Sequence, residues 1–216
     1  METISLKTVL VFPLFVSLIF FSGCAREEQT EKTIMPRESN KKVAMLIAFT
    51  DFKDEEYFVP KEVLEKAGLE VVTVSNSKRT AQGVSGGQAP IDISLDELKV
   101  ADYDGIVFIG GPGALKNLDN QTSYQIAQEA VEQNKILGAI CISPVILAKA
   151  GVLQGKKATV WSSPLDKSPV KTLQENGANY QEEDIVVDGE VITGNGPAAA
   201  EKFGQAIVQR LTSSSE

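Results

Sequence analysis

The chain has 216 residues, 43% of them hydrophobic, which is enough for one good core but would leave two full domains small. Its 21 basic and 29 acidic side chains give a net charge of −8 with no basic stripe, which argues against a nucleic-acid partner. The absence of histidine excludes Ser-His-Asp and Cys-His relays and removes the commonest transition-metal ligand. With two cysteines and neither CxxC nor HExxH spacing, no metal and no cofactor are expected.

The N-terminus reads as an address. Lys7 precedes an apolar run of thirteen residues, 9–21, too short to span a bilayer core of roughly 30 Å as a helix and suited to a signal peptide over residues 1–23. Phe21-Ser22-Gly23-Cys24 then resembles the bacterial lipobox, in which the cysteine is lipidated, for instance carrying palmitate, and becomes the mature N-terminus; Phe21 stands where leucine is usual. Residues 24–41 are polar and poor in large apolar groups, as expected of a disordered tether. The expectation is a cell-membrane lipoprotein facing out of the cytoplasm, on the periplasmic side in a Gram-negative source. Lipid on Cys24 would leave Cys141 a free thiol, exposed to oxidation in such a compartment unless buried or kept reduced.

From residue 42 to about 213 the pattern is that of one α/β domain. Residues 43–49 (VAMLIAF), 69–74 (LEVVTV), 106–109 (IVFI) and 136–140 (ILGAI) predict buried strands, and 57–67, 123–133 and 144–150 predict helices, two of them followed by glycine. This alternation predicts a doubly wound, mostly parallel sheet in a three-layer arrangement. Residues 75–95, with Gly83, Gly86, Gly87 and Pro90, read as a hairpin or long loop. Asp188-Gly189 between two β-branched runs predicts a second hairpin, and residues 198–211 a closing amphipathic helix.

In open α/β sheets ligands bind beyond the carboxyl ends of the strands. Two turns there carry chemistry. Strand 136–140 runs into Cys141-Ile142-Ser143-Pro144, the position of a nucleophile elbow, where helix-end amides favour a thiolate and are expected to lower the thiol pKa. Gly110-Gly111-Pro112-Gly113 lets backbone amides approach a ligand and offers one side of an oxyanion site. Taken alone, a cysteine after a strand is more often a small buried hydrophobe.

Together, residues 109–114 (IGGPGA), 138–141 (GAIC), 147–159 (LAKAGVLQGKKAT) and 188–197 (DGEVITGNGP) closely resemble the ThiJ/PfpI family, in the right order over about residues 42–211. That family includes PfpI-like proteases, the parkinsonism-associated protein deglycase, glyoxalase-III-type enzymes and redox-regulated chaperones. The resemblance implies a flavodoxin-like fold, a homodimer, and Cys141 as nucleophile, with Glu56, four residues before Pro60, hydrogen-bonding its sulfur. The amides of Gly111 and Ile142 would hold an oxyanion. Many members have histidine directly after the cysteine, where this chain has Ile142, and the deglycase-like branch has it in a Thr-His-Pro-Leu stretch that here reads Ser162-Ser163-Pro164-Leu165. Ser163 thus replaces the second histidine, and a serine hydroxyl is no base near neutral pH.

These features imply a membrane-tethered thiol protein with glyoxalase- or deglycase-type chemistry on a reactive aldehyde or its adduct, whether small molecule or modified protein. The alternatives are a non-catalytic redox sensor or chaperone, a tethered ligand-binding receptor, and a PfpI-type peptidase, which the lack of histidine disfavours.

Overall fold

A computed structural model describes residues 40–213. In chain order the elements are β1 (Lys42–Ile47), β2 (Thr50–Phe52), α1 (Asp54–Lys66), β3 (Glu70–Ser75), β4 (Thr80–Gly83), β5 (Gln88–Pro90), β6 (Ile93–Ser94), β7 (Gly105–Phe108), α2 (Ala114–Asn117), α3 (Gln121–Glu132), β8 (Ile136–Ile140), α4 (Pro144–Lys149), β9 (Lys157–Ala158), α5 (Ser168–Glu175), β10 (Asn179–Tyr180), β11 (Ile185–Asp188), β12 (Val191–Gly194) and α6 (Ala200–Ser213). The main sheet has seven strands in the order β11-β12-β8-β7-β1-β3-β6. Every neighbouring pair in it is parallel except the β11–β12 hairpin, which turns at Asp188-Gly189 as its sequence predicts.

Side chains of β1 divide between two cores, as a strand's period of two requires. Ala44 and Leu46 face a cluster with Ile126, Ala127, Ile146 and Leu173, from α3, α4 and α5. Val43, Met45 and Ile47 face the other, with Tyr57, Leu64, Phe203 and Ile207, from α1 and α6. The result is the predicted three-layer, flavodoxin-like arrangement. Strands β7 and β8 are buried along their whole length, which accounts for their unbroken apolar sequences.

The boundaries differ instructively from expectation. Helix α1 begins at Asp54, three residues before the predicted start, because Asp54, Glu55 and Glu56 fill its first turn, where the helix dipole favours negative charge. That shift places Glu56 inside the helix. Pro60 lies inside α1 too, and without an N–H it leaves the Glu56 carbonyl without the usual partner one turn on. On the other side α6 approaches closely at Gly204, where a Cβ would stand 3.0 Å from the Pro60 Cα.

The expected hairpin within residues 75–95 is β4–β5, and β2 pairs with β4 to make a small second sheet. Asp54 locks this hairpin to α1: its carboxylate accepts from the Ser85 and Gly87 amides, each at 2.7 Å. Burial alone would raise the Asp54 pKa, but these two amides, with Asp54's own amide and the Lys53 charge, outweigh it and hold it below the ordinary value of 3.8. Replacing Asp54 by asparagine or alanine should therefore destabilise the domain by about 1–3 kcal/mol. Because the folded pKa is depressed, the difference from the parent chain in urea unfolding should be full above pH 3.8 and shrink as pH falls below it.

Candidate active site

The sheet reverses its strand order between β1 and β7, the place where doubly wound folds open a crevice beyond the strand ends. Three turns meet there: residues 48–53 after β1, the glycine turn after β7, and the cysteine turn after β8. They are tied by backbone bonds, Lys53 N–H to the Gly110 carbonyl (3.1 Å) and Gly113 N–H to the Asp51 carbonyl (2.9 Å). Gly111 has φ +112°, and a Cβ there would stand 2.5 Å from the Lys53 nitrogen, so the position demands glycine.

Cys141 adopts φ +63°, a left-handed conformation that costs a non-glycine residue about 1–2 kcal/mol. The surroundings enforce it. Cys141 N–H donates to the Gly194 carbonyl and its own carbonyl accepts from Trp161 N–H, both at 2.8 Å, so β12 and the segment after β9 grip the residue from two sides. The buried Ser143 hydroxyl donates to the Ile109 carbonyl (2.8 Å), clipping the cysteine turn to the end of β7. Strain of this kind marks the elbow that the strand-turn sequence predicts.

Glu56 is fully buried, and neither carboxyl oxygen has a conventional hydrogen-bond partner. Burial pushes its pKa from 4.5 up to about 7; the Cys141 thiol, and more weakly the Lys53 ammonium and the Gly110 amide, act in the opposite sense. Gly110 is the gap through which carboxyl and cysteine meet: a Cβ there would lie 2.5 Å from Glu56 Oε2 and 2.6 Å from Cys141 Cβ.

The thiol does not follow the expected direction. The Gly111 and Ile142 amides do donate toward sulfur and favour the thiolate, yet burial and then the Glu56 carboxylate push the Cys141 pKa up, not down. The two acids form a coupled pair: either one's charge opposes the other's, so around neutral pH the pair retains one proton. A thiolate escapes the repulsion of a neighbouring carboxylate only while Glu56 carries that proton, and the cost of burial remains.

Cys141 and Glu56 face a cavity of about 330 Å³ walled by Pro112, Leu115, Trp161 and Pro197, with Lys53 also contributing to the wall. The structure thus unites Cys141, Glu56, Gly111 and Ile142. It does not bring Ser163 to them. Ser163 lines a separate, more polar cavity of about 410 Å³, and its hydroxyl accepts from the Leu165 and Asp166 amides as a turn cap. Sequence reasoning missed Lys53, Trp161 and Leu115; the short interval between β2 and α1 was the available signal for Lys53. Among the described residues no three carboxylate or cysteine side chains are grouped to hold a metal, and Cys24 lies outside them.

A doubly wound α/β domain with a cysteine in a strained strand-to-helix turn, a buried carboxyl beside it and two amides aimed at its sulfur defines a class of thiol-centred proteins. A model of the DJ-1/PfpI family matches residues 41–210, and the chain belongs to that family. An uncharacterized protein of Methanocaldococcus jannaschii is 39% identical over 206 residues, 94% of this chain and 97% of that one. The glutathione-independent glyoxalase DJR-1.2 of Caenorhabditis elegans is 27% identical over 173 residues, covering 80% and 90% of the two chains. Among solved structures, a ThiJ/PfpI domain protein from Brachyspira murdochii superposes with TM-score 0.76 at 30% identity over 81% of this chain and 99% of its own. Drosophila melanogaster DJ-1beta gives 0.71 at 26% identity, over 80% and 91%.

The buried carboxyl has a stability consequence. Between pH 4.5 and about 7 the folded Glu56 keeps a proton that the unfolded chain has lost, so this group's contribution to stability falls as pH rises through that window. Glu56→Gln removes the dependence. Its stability relative to the parent chain should rise between pH 4.5 and 7 by roughly 2–3 kcal/mol, measured by denaturant unfolding across that range.

Proposed function

We propose that the protein is a membrane-tethered thiol enzyme of glyoxalase or deglycase type, with Cys141 as nucleophile and Glu56 as its proton carrier. The observation that carries this reading is the pairing of a strained, amide-facing cysteine with a fully buried carboxyl whose pKa is raised to about 7. A general acid–base group works best with a pKa near the working pH, and burial puts Glu56 there.

In the first step the Cys141 sulfur bonds to the aldehyde carbon of an α-oxoaldehyde, and the carbonyl π bond breaks toward oxygen. The Gly111 and Ile142 amides, already directed at the sulfur, stabilise that oxygen as it gains charge. The proton from the Cys141–Glu56 pair ends on the oxygen, giving a neutral hemithioacetal, and Glu56 is left as the base for later steps. The largely apolar wall of Pro112, Leu115, Trp161 and Pro197 limits the water that competes for the carbonyl. The C. elegans relative's description as a glyoxalase agrees with this chemistry.

Peptide hydrolysis fits less well, because with no histidine in the chain one carboxyl would have to serve both nucleophile and leaving amine. The raised thiol pKa favours one second reading, a non-catalytic thiol sensor or chaperone in which Glu56 keeps Cys141 protonated. Homodimerisation, implied by the family resemblance, belongs to either reading.

The tether rests on the sequence of residues 1–41. The M. jannaschii alignment spans 94% of the chain and so extends into the segment before residue 40. Cys24→Ser should release the protein from membranes to the soluble fraction on cell fractionation. In a methylglyoxal-consumption assay Cys141→Ser and Glu56→Gln should each lower kcat by at least about 100-fold. Equal, enzyme-independent rates in all three chains would leave the non-catalytic reading.

A further inference from the structure

Lys53 is the sole cation among the described residues that wall the Cys141 cavity. Its backbone is fixed, since its N–H donates to Gly110 and its carbonyl accepts from Tyr57 N–H at 3.2 Å, but its side chain is free to re-pair. The ammonium meets Glu55 at 3.0 Å, and that carboxylate is half exposed. A pair whose carboxylate is half in water contributes little, so an incoming anion displaces Glu55 at little cost. The Lys53 charge also reaches the Glu56 carboxyl, which places it electrostatically inside the reactive site and not merely at the surface.

The rest of the cavity complements a small anion with an uncharged reacting end. Two amides are directed at the sulfur, where the oxygen of a bound carbonyl would develop charge, and the facing wall is apolar. Lys53 is left over from that chemistry: addition of a thiol to a neutral aldehyde does not use it. The chain as a whole carries −8, so a local cation favours the approach of an anionic substrate. When both Glu56 and Cys141 hold protons, Lys53 is left as the only charge among the described cavity-lining residues.

From this arrangement we infer that Lys53 is a specificity residue that selects carbonyl compounds bearing a carboxylate, 2-oxo acids and their aldehyde analogues, for the Cys141 site. The substrate class rests on the thiol-enzyme reading above, whereas the anion preference of the cavity stands by itself. Binding sets the carboxylate against Lys53 in place of Glu55, with the carbonyl carbon turned toward sulfur. No bond of the carboxylate is made or broken. Glu56, Glu55 and Asp54 are the acids whose charge acts on Lys53, and of these Glu56 shares the cavity, so anion binding should tighten as pH falls and Glu56 takes up its proton.

Trp161 is the chain's single tryptophan and lines the cavity, so its fluorescence reports occupancy. The test titrates the full-length protein, at fixed ionic strength, with lactate and with its neutral counterpart lactamide. Lactate should bind more tightly than lactamide by at least about fivefold, a preference that Lys53→Met removes and Lys53→Arg retains, with lactamide binding unchanged in all three. Equal binding of lactate and lactamide, or an undiminished preference in Lys53→Met, would overturn the inference.

A second arm compares alkylation of Cys141 by iodoacetate and by iodoacetamide. The ratio of the two rates should exceed that of free cysteine and fall toward it in Lys53→Met. If Cys141 resists both reagents, the nucleophile reading fails, and the lactate comparison still decides the role of Lys53.

Discussion

The structure turns on one contact, the buried carboxyl of Glu56 against the thiol of Cys141. Two acids side by side, one fully buried and the other only partly open to solvent, oppose each other's ionisation at neutral pH, so the contact favours sharing of a proton. Its neighbours are arranged to permit it. Gly110 leaves the gap through which the groups meet, the acidic first turn of α1 delivers Glu56 from one side of the sheet, and the bond from Ser143 to Ile109 holds the cysteine turn from the other. The strand-order reversal between β1 and β7 makes those three turns neighbours.

With no histidine anywhere in the chain, any proton transfer at the site would fall to a carboxyl or to water. Burial solves half of that problem by raising Glu56 to about 7. The other half is the cost of the thiolate, which the amides of Gly111 and Ile142 lower but do not cancel. The protein therefore does not keep a permanently ionised cysteine, as a helix-end position alone would suggest. Its reactivity is conditional on where one proton sits, and an enzyme or a sensor can be built on that condition.

Much of this was legible in the sequence because it was written in local patterns. Strands β7 and β8 are unbroken apolar runs, since both of their faces are covered, and Cys141 follows β8 directly, so the elbow could be placed to the residue. The β11–β12 hairpin was fixed by Asp188-Gly189. Glu56 was reached only through the family spacing to Pro60; its own neighbourhood reads as a solvated acidic helix start, and burial is a tertiary property.

What escaped has the same origin. Strands β9 and β10 have two residues each, too few to show a period, and α5 sits in a polar stretch whose inward-facing Leu173 gives little signal alone. Ser163 was placed at the site by alignment with a histidine, but the chain there closes into a turn capped by its hydroxyl, in a different cavity. The direction of the thiol shift was misjudged because the sequence displays helix-end amides and conceals desolvation.

The most direct test of the shared proton is the pH dependence of iodoacetamide alkylation of Cys141 in the parent chain and in Glu56→Gln. A reactivity midpoint above the free-thiol value of about 8.5 that falls by a unit or more when Glu56 is replaced is the predicted result. A midpoint near the free-thiol value of about 8.5 that is indifferent to the replacement, or a thiol that does not react at all, would contradict it and make Cys141 a core residue.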